Sequence, residues 1–375
     1  MSAAVACRRR DAPRPVPDEV KSHEIASAPQ LTCGSLACCA VVADGTLRCW
    51  GQGPFQLYTP TTIAPAEGPK DFVRVAVGVH HACALRRGGE VDCFGSDDGD
   101  GQLGDGGGEA HADPRPVKLD GPATSIVTGA HASCALLADG RAQCWGPDDD
   151  GQLGDGTIAP SKPPVSVDAS GHAPFVELGI GIDHACAREA SGGVLCWGRD
   201  DHGQLGDGVI GGREPKPVRV VGIHASALAV GDQHTCALLT DATVDCWGLD
   251  RHHELGDGAL DDRATPAPVP GLTDVEEIAA GDAFHACART KSGRVACWGW
   301  NEDYQIGDGT TLDRATPYFV RGLPPAVQLT LGFETTCARL DDRSAACWGD
   351  NAHGTVTGIA RLDELELPKP TIVSW

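Results

Sequence analysis

The chain has 375 residues, 41% hydrophobic and 22% charged, with a formal net charge of −22. No apolar run reaches the roughly 18 residues a membrane-crossing helix needs, and an acidic excess of this size repels a phosphate backbone, which excludes nucleic-acid binding as the main task. Its 49 glycines and 26 prolines demand many turns.

Residues 1–30, MSAAVACRRRDAPRPVPDEVKSHEIASAPQ, are charged, proline-rich and aperiodic, and read as a flexible tail. They hold five basic and four acidic side chains, net +1, so the remainder carries −23. The apolar centre of a signal peptide is missing. AVAC ending at Cys7 nevertheless resembles the end of a bacterial lipoprotein signal, which makes Cys7 a candidate lipid anchor if translation starts upstream. The alternative is a disordered tail with a stray cysteine.

From residue 31 onward one plan recurs seven times: a cysteine, a second cysteine ten residues later, an aromatic and a glycine. The pairs are Cys39/Cys49, Cys83/Cys93, Cys134/Cys144, Cys186/Cys196, Cys236/Cys246, Cys287/Cys297 and Cys337/Cys347. In the third unit, Ala135–Leu137 and Arg141–Gln143 are short strand-like runs around Ala138-Asp139-Gly140, a three-residue hairpin loop with Gly140 at positive φ. Counting outward from that loop sets Cys134 opposite Cys144. Directly opposed residues of a non-hydrogen-bonded pair lie about 4.5 Å apart, a separation a disulfide can bridge. The turn glycine recurs as Gly45, Gly89, Gly192 and Gly293, while Ala242 and Arg343 break the rule. Seven cross-hairpin disulfides are therefore expected, with an eighth between Cys33 and Cys38 and Cys7 left over. Bridges at this density place the chain in an oxidising, extracytoplasmic space. A buried ladder of reduced cysteines is the alternative.

The first cysteines are spaced by 44, 51, 52, 50, 51 and 50 residues, a period that signals an array, a solenoid or a propeller. Each unit offers four strand candidates: one before a glycine, such as Val275–Ala280, the two hairpin arms, and a Pro-flanked run such as Pro217–Val221. With no helical period, this predicts an all-β fold, a seven-bladed β-propeller of four-stranded blades over 31–375. Trp50, Phe94, Trp145, Trp197, Trp247, Trp298 and Trp348 supply one large aromatic per unit as blade-to-blade core. GQLGDG follows at 101–106, 151–156 and 203–208, with HELGDG and YQIGDG as variants; its glycines suit a tight loop and its Leu or Ile a buried anchor. Whether the final PKPTIVSW strand completes its own blade or the first is open.

The succession of glycine, histidine, hairpin, Trp-Gly and GQLGDG resembles the regulator of chromosome condensation repeat family. The resemblance implies the seven-bladed propeller. It also implies a range of roles: the eukaryotic founder is a guanine nucleotide exchange factor for a small GTPase that docks on chromatin, other members bind ubiquitin-pathway partners, and a secreted bacterial member inhibits beta-lactamase. The cysteine pairs, the absence of a basic arm and the lack of an insertion long enough for the exchange factor's wedge depart from the founder.

Three constellations remain. His81, His184, His234 and His285 precede the first cysteine of their pairs by two residues; spread around a ring, they read as structural hydrogen-bonding groups rather than metal ligands, which must converge on one ion. The acidic loops with Asp97, Asp98, Asp100 and Asp148, Asp149, Asp150 lack the first acid and closing Glu of a calcium loop and read as a solvated rim. Asp105, Asp155, Asp207, Asp257 and Asp308 are expected to cap their own loops.

No Ser, Cys or His stands apart in a catalytic motif, so the sequence predicts no enzyme activity and calls for no cofactor or metal. Trp300 and Tyr304, in WGWNEDYQIGDG, fall where other units have Pro147, Arg199 or Leu249 and no core demand is evident; they are candidate partner-binding residues, with packing onto Tyr318 or Phe319 as the alternative. The overall expectation is a monomeric, exported or surface-anchored binding scaffold for a protein partner, membrane-bound only through Cys7. An exchange-factor-like regulator of a small GTPase and an inhibitor of an exported enzyme are the rivals.

Overall fold

The computed structural model describes residues 30–35, 37–51, 57–63, 69–96, 99–281, 284–342, 344–351 and 366–373. The described residues form seven four-stranded antiparallel sheets and no helix: a seven-bladed β-propeller. Blade 4 is representative. Its strands Phe175–Ile180, His184–Glu189, Val194–Arg199 and Arg213–Arg219 pair in chain order, the first lining the central channel and the fourth forming the outer edge. The other blades span 30–63, 72–116, 123–166, 225–268, 275–319 and 326–373.

The middle two strands of each blade are the cysteine hairpin, in the expected register: Cys134 faces Cys144 and Leu136 faces Ala142. Gly140 adopts φ 82°, and Ala242 accepts φ 67° at the equivalent turn; Arg343 lies outside the described residues. One bond crosses each hairpin: Cys39–Cys49, Cys83–Cys93, Cys134–Cys144, Cys186–Cys196, Cys236–Cys246, Cys287–Cys297 and Cys337–Cys347. An eighth joins Cys33 to Cys38, and all eight have Cα separations of 4.0–4.1 Å. All sixteen cysteines are buried, and Cys49, Cys93, Cys196, Cys246 and Cys297 on the third strands have no exposed surface at all. These bridges are therefore part of the packed core between blades, and none of their cysteines can contact a partner. Cys7 lies outside the described residues.

The Trp-Gly step ends the hairpin for a steric reason. The third strand slips register between Cys144 and Gly146, and Gly146 takes φ 116°. A Cβ on the equivalent Gly198 would fall 2.3 Å from the Asp183 carbonyl, so only glycine admits this bulge.

The core is a series of seams between blades. Cys134, Leu136, Cys144 and Leu153 of blade 3 pack with Phe175, Leu178, Ile180, Leu195 and Trp197 of blade 4. Five indoles are held by the preceding blade's loop: Trp145 Nε1 donates to the Gln102 carbonyl (3.0 Å), Trp197 to Gln152 (2.9 Å), Trp247 to Gln204 (3.0 Å), Trp298 to Glu254 (2.9 Å) and Trp348 to Gln305 (2.8 Å). Leu103, Leu153, Leu205, Leu255 and Ile306 are buried beneath these loops. GQLGDG is thus a staple from one blade to the next.

The ring closes without a shared strand. Glu366–Val373 pairs with Ala345–Asp350 of its own blade, and Leu31, Cys38 and Trp50 pack against Cys337, Ala345 and Cys347. Across this seam Cys33 N donates to Thr330 Oγ1 at 3.0 Å and Gln328 Nε2 to the Leu31 carbonyl at 3.3 Å.

Candidate interaction face

Antiparallel blades send two connections to each face of the ring. The links between first and second strands and between third and fourth strands emerge together, and the latter carry GQLGDG. On this face, in five blades, the residue after the aromatic-glycine step is tied to the end of the inner link: Ser96 N to the His80 carbonyl (2.8 Å), Arg199 N to Asp183 (2.8 Å), Leu249 N to Gln233 (2.9 Å), Trp300 N to Phe284 (2.8 Å) and Asp350 N to Glu334 (2.9 Å). The two sets of links therefore form one continuous surface around the channel mouth.

The loops are built by their own side chains. Asp148, Asp200, Asp250 and Asn301 accept the backbone N–H of Leu153, Leu205, Leu255 and Ile306 at 2.9–3.1 Å. Asp105, Asp155, Asp207, Asp257 and Asp308 each accept the N–H two residues on, at 2.8–2.9 Å, as expected of capping residues. Asp150 faces Arg213 at 2.6 Å; Asp97 and Asp98 lie outside the described residues.

The four histidines sit at blade seams. His81 Nε2 meets Ser133 Oγ at 2.8 Å, His184 meets Thr235 Oγ1 at 2.9 Å and His285 meets Thr336 Oγ1 at 2.8 Å. Burial, the dominant cause, drives the pKa of each of these three down to about 3, so they stay neutral.

Trp300 is half-buried at the mouth, in a setting that sequence reasoning missed. Its ring lies 5.6 Å from Phe333, 6.2 Å from Phe284 and 6.0 Å from His252, residues of three different blades. Phe284 and Phe333 stand 6.5 Å apart and are also half-buried. Tyr318 and Phe319 are occupied elsewhere, beneath the guanidinium groups of Arg314 at 5.2 Å and Arg294 at 4.0 Å. Tyr304 does not share the position of Pro147, Arg199 and Leu249. It replaces the first glycine of the staple and keeps that glycine's left-handed backbone, with φ 65° against 73°, 79° and 77° at Gly101, Gly151 and Gly203. Beside Phe333 the mouth opens into a hollow of about 300 Å³ lined by Val79, Ala130, Ile182 and Asp232.

A second feature, also missed, rings the outer part of this face. Ile158, Ile210, Leu260 and Leu312 follow the GDG of blades 3 to 6 and are 49%, 53%, 59% and 67% exposed. Aligning the residues after GDG would have revealed them.

The blade order, the indole-to-loop staples and the motif spacing have a counterpart among known families: a model described as the RCC1-like domain matches residues 54–374. The chain belongs to the RCC1-like domain family. Within it, this RCC1-like propeller is 28% identical over 378 residues to the ultraviolet-B receptor UVR8 of Arabidopsis thaliana, covering 94% of the chain and 84% of the receptor. It is 27% identical over 307 residues to the secretion-regulating guanine nucleotide exchange factor of Mus musculus, covering 78% of the chain but 57% of that protein. In three dimensions it matches Prp20p of Saccharomyces cerevisiae, described with binding to Gsp1p and histones, with a TM-score of 0.78 at 21% identity over 95% of this chain and 90% of that one. The family relationship supports a binding or regulatory role.

Proposed function

We propose that this propeller is a non-catalytic binding scaffold that works outside the cytoplasm, secreted or surface-anchored, as a monomer taking one protein partner on the face that bears Trp300. The observation that carries the reading is the half-buried aromatic group Trp300, Phe284 and Phe333 at the channel mouth, ringed by exposed apolar residues on four successive blades. Large apolar patches on a rigid loop face are the usual anchors of a protein interface. Tyr304, held in a left-handed backbone that disfavours its side chain, belongs to the same loop as Trp300. Eight disulfides support the oxidising compartment. Cys7 would supply a lipid anchor if the reading frame continues upstream.

The test is crosslinking in intact cells with wild-type protein and with Trp300→Ala/Phe333→Ala. A partner captured from the extracytoplasmic fraction by the first and lost by the second, at unchanged melting temperature, is the expected outcome. Equal capture by both would refute this face.

A second reading, an exchange-factor-like regulator of a small GTPase, draws on the similarity to the secretion-regulating exchange factor. It requires the cysteines to be reduced in the cell and nucleotide release from a small GTPase to accelerate when the chain is added.

A further inference from the structure

We infer that the aromatic cluster beside the hollow at the channel mouth receives a lysine or arginine side chain from an extended basic segment of the protein partner. This rests on the binding-face reading above and gives that partner its chemistry.

The cluster and its loops combine two kinds of surface that favour one ligand. Trp300, Phe284 and Phe333 stand within 5.6–6.5 Å of one another and all three are only half-buried, so ring surface remains open to solvent. Open ring faces attract cations through the aromatic quadrupole. Two carboxylates belong to the same loops as these rings. Glu334 follows Phe333 in the chain, and Asp303 stands in the Trp300 loop and acts electrostatically on Glu334.

The carboxylates there lack basic partners. Elsewhere on the face some acids have them: Asp150 with Arg213 at 2.6 Å, Asp183 with Arg199 at 3.4 Å, Asp262 with His202 at 2.7 Å. Among the described residues, neither Glu334 nor Asp303 forms an ion pair with any Lys, Arg or His. Burial first, then Asp303 and Asp350, pushes the Glu334 carboxyl up to about 7. Burial, then Asp350, Glu366 and Glu302, raises Asp303. An incoming cation relieves both groups while covering the rings.

Two further observations define the source of that cation. The exposed Ile158, Ile210, Leu260 and Leu312 extend the surface beyond the reach of a small ligand, and Asn301 Nδ2 ties the Leu312 carbonyl (3.0 Å) to the loop that carries Trp300. A peptide segment spans both. A second copy of this chain carries the same net charge of −22, and like-charge repulsion disfavours it here.

The probe is a fluorescein-labelled hexapeptide, Arg-Leu-Arg-Gly-Lys-Arg, compared with its counterpart in which every basic residue is glutamate. Fluorescence anisotropy on the oxidised full-length protein is expected to show binding of the basic peptide alone. Trp300→Ala, Phe333→Ala and Glu334→Gln/Asp303→Asn should each weaken it by about tenfold or more, Phe333→Tyr should retain it, and Asp201→Asn/Asp261→Asn on the exposed rim should leave it within about twofold. Glu334→Gln and Phe333→Tyr keep the volume of the native side chain, so the comparison survives if an alanine variant fails to fold. If the rim variant weakens binding as much as the mouth variants, general acidity is responsible and the inference falls. It also falls if both peptides bind alike, or if sedimentation shows a dimer broken by Trp300→Ala. Should a cellular partner still depend on Trp300 while the basic peptide fails to bind, the cation is refuted and the binding face stands.

Discussion

Ala286 of blade 6 takes the repeat position that Ser133, Thr235 and Thr336 fill in their blades, so His234 of blade 5 lacks the hydroxyl that His81, His184 and His285 each meet. Its two ring nitrogens have no hydrogen-bond partner, and the ring is fully buried. An unsatisfied buried polar group costs about 1–3 kcal/mol. Ala286→Thr should therefore stabilise the protein by about 1 kcal/mol in chemical denaturation. The gain should vanish in a His234→Ala background, where the hydroxyl has nothing to bind.

Glu254 occupies the place of Gln102, Gln152, Gln204 and Gln305 in the other staples, buried, with Oε1 lacking a partner. Burial is the first cause that lifts its pKa from the ordinary 4.5 to about 8. A raised carboxyl adds its full stability below the unfolded value and loses it as pH climbs toward the folded one. Glu254→Gln removes that loss, so the variant should gain on wild type by about 1.4 kcal/mol per pH unit between roughly pH 5 and pH 8. Parallel urea titrations across this range read the slope, and a constant difference would contradict the burial argument.

Two glycines separate backbone strain from steric contact. Gly208 has φ 97° and open space around it, whereas Gly154 has φ 74° and a Cβ there would sit 2.6 Å from Trp197 Nε1. Gly208→Ala should cost about 1–2 kcal/mol from the left-handed backbone alone. Gly154→Ala should cost about 3 kcal/mol or more, because the indole it displaces is the seam of blades 3 and 4.

Removing one bridge, as in Cys236→Ala/Cys246→Ala, should cost about 2–3 kcal/mol by the loop-entropy argument. Intact mass with and without alkylation should show no more than one free thiol among the 17 cysteines of natively isolated protein. A majority reduced would instead favour the cytoplasmic, exchange-factor-like reading.

Several interactions that lie within one unit were legible. Cys134 opposite Cys144 follows from the alternation of a strand and the length of one turn, and the Asp of each GDG reaches only two residues along the chain. The propeller followed because a unit of about 50 residues with four strand candidates cannot bury both sheet faces alone, and seven such units close a ring.

The Trp after each hairpin was legible as blade-to-blade core, but the side chains that meet at the channel mouth were not. The rings around Trp300 come from residues 252, 284 and 333, and nothing in their local sequence distinguishes them from core aromatics. Nor could the last strand's choice of blade be read, since both edges offer the same backbone groups. Side-chain period and turn chemistry act over a few residues, so the sequence by itself determined the hairpins, their bridges and the number of blades. Which side chains converge at the channel mouth depends on how the blades are placed around the ring, and only the tertiary structure decided that.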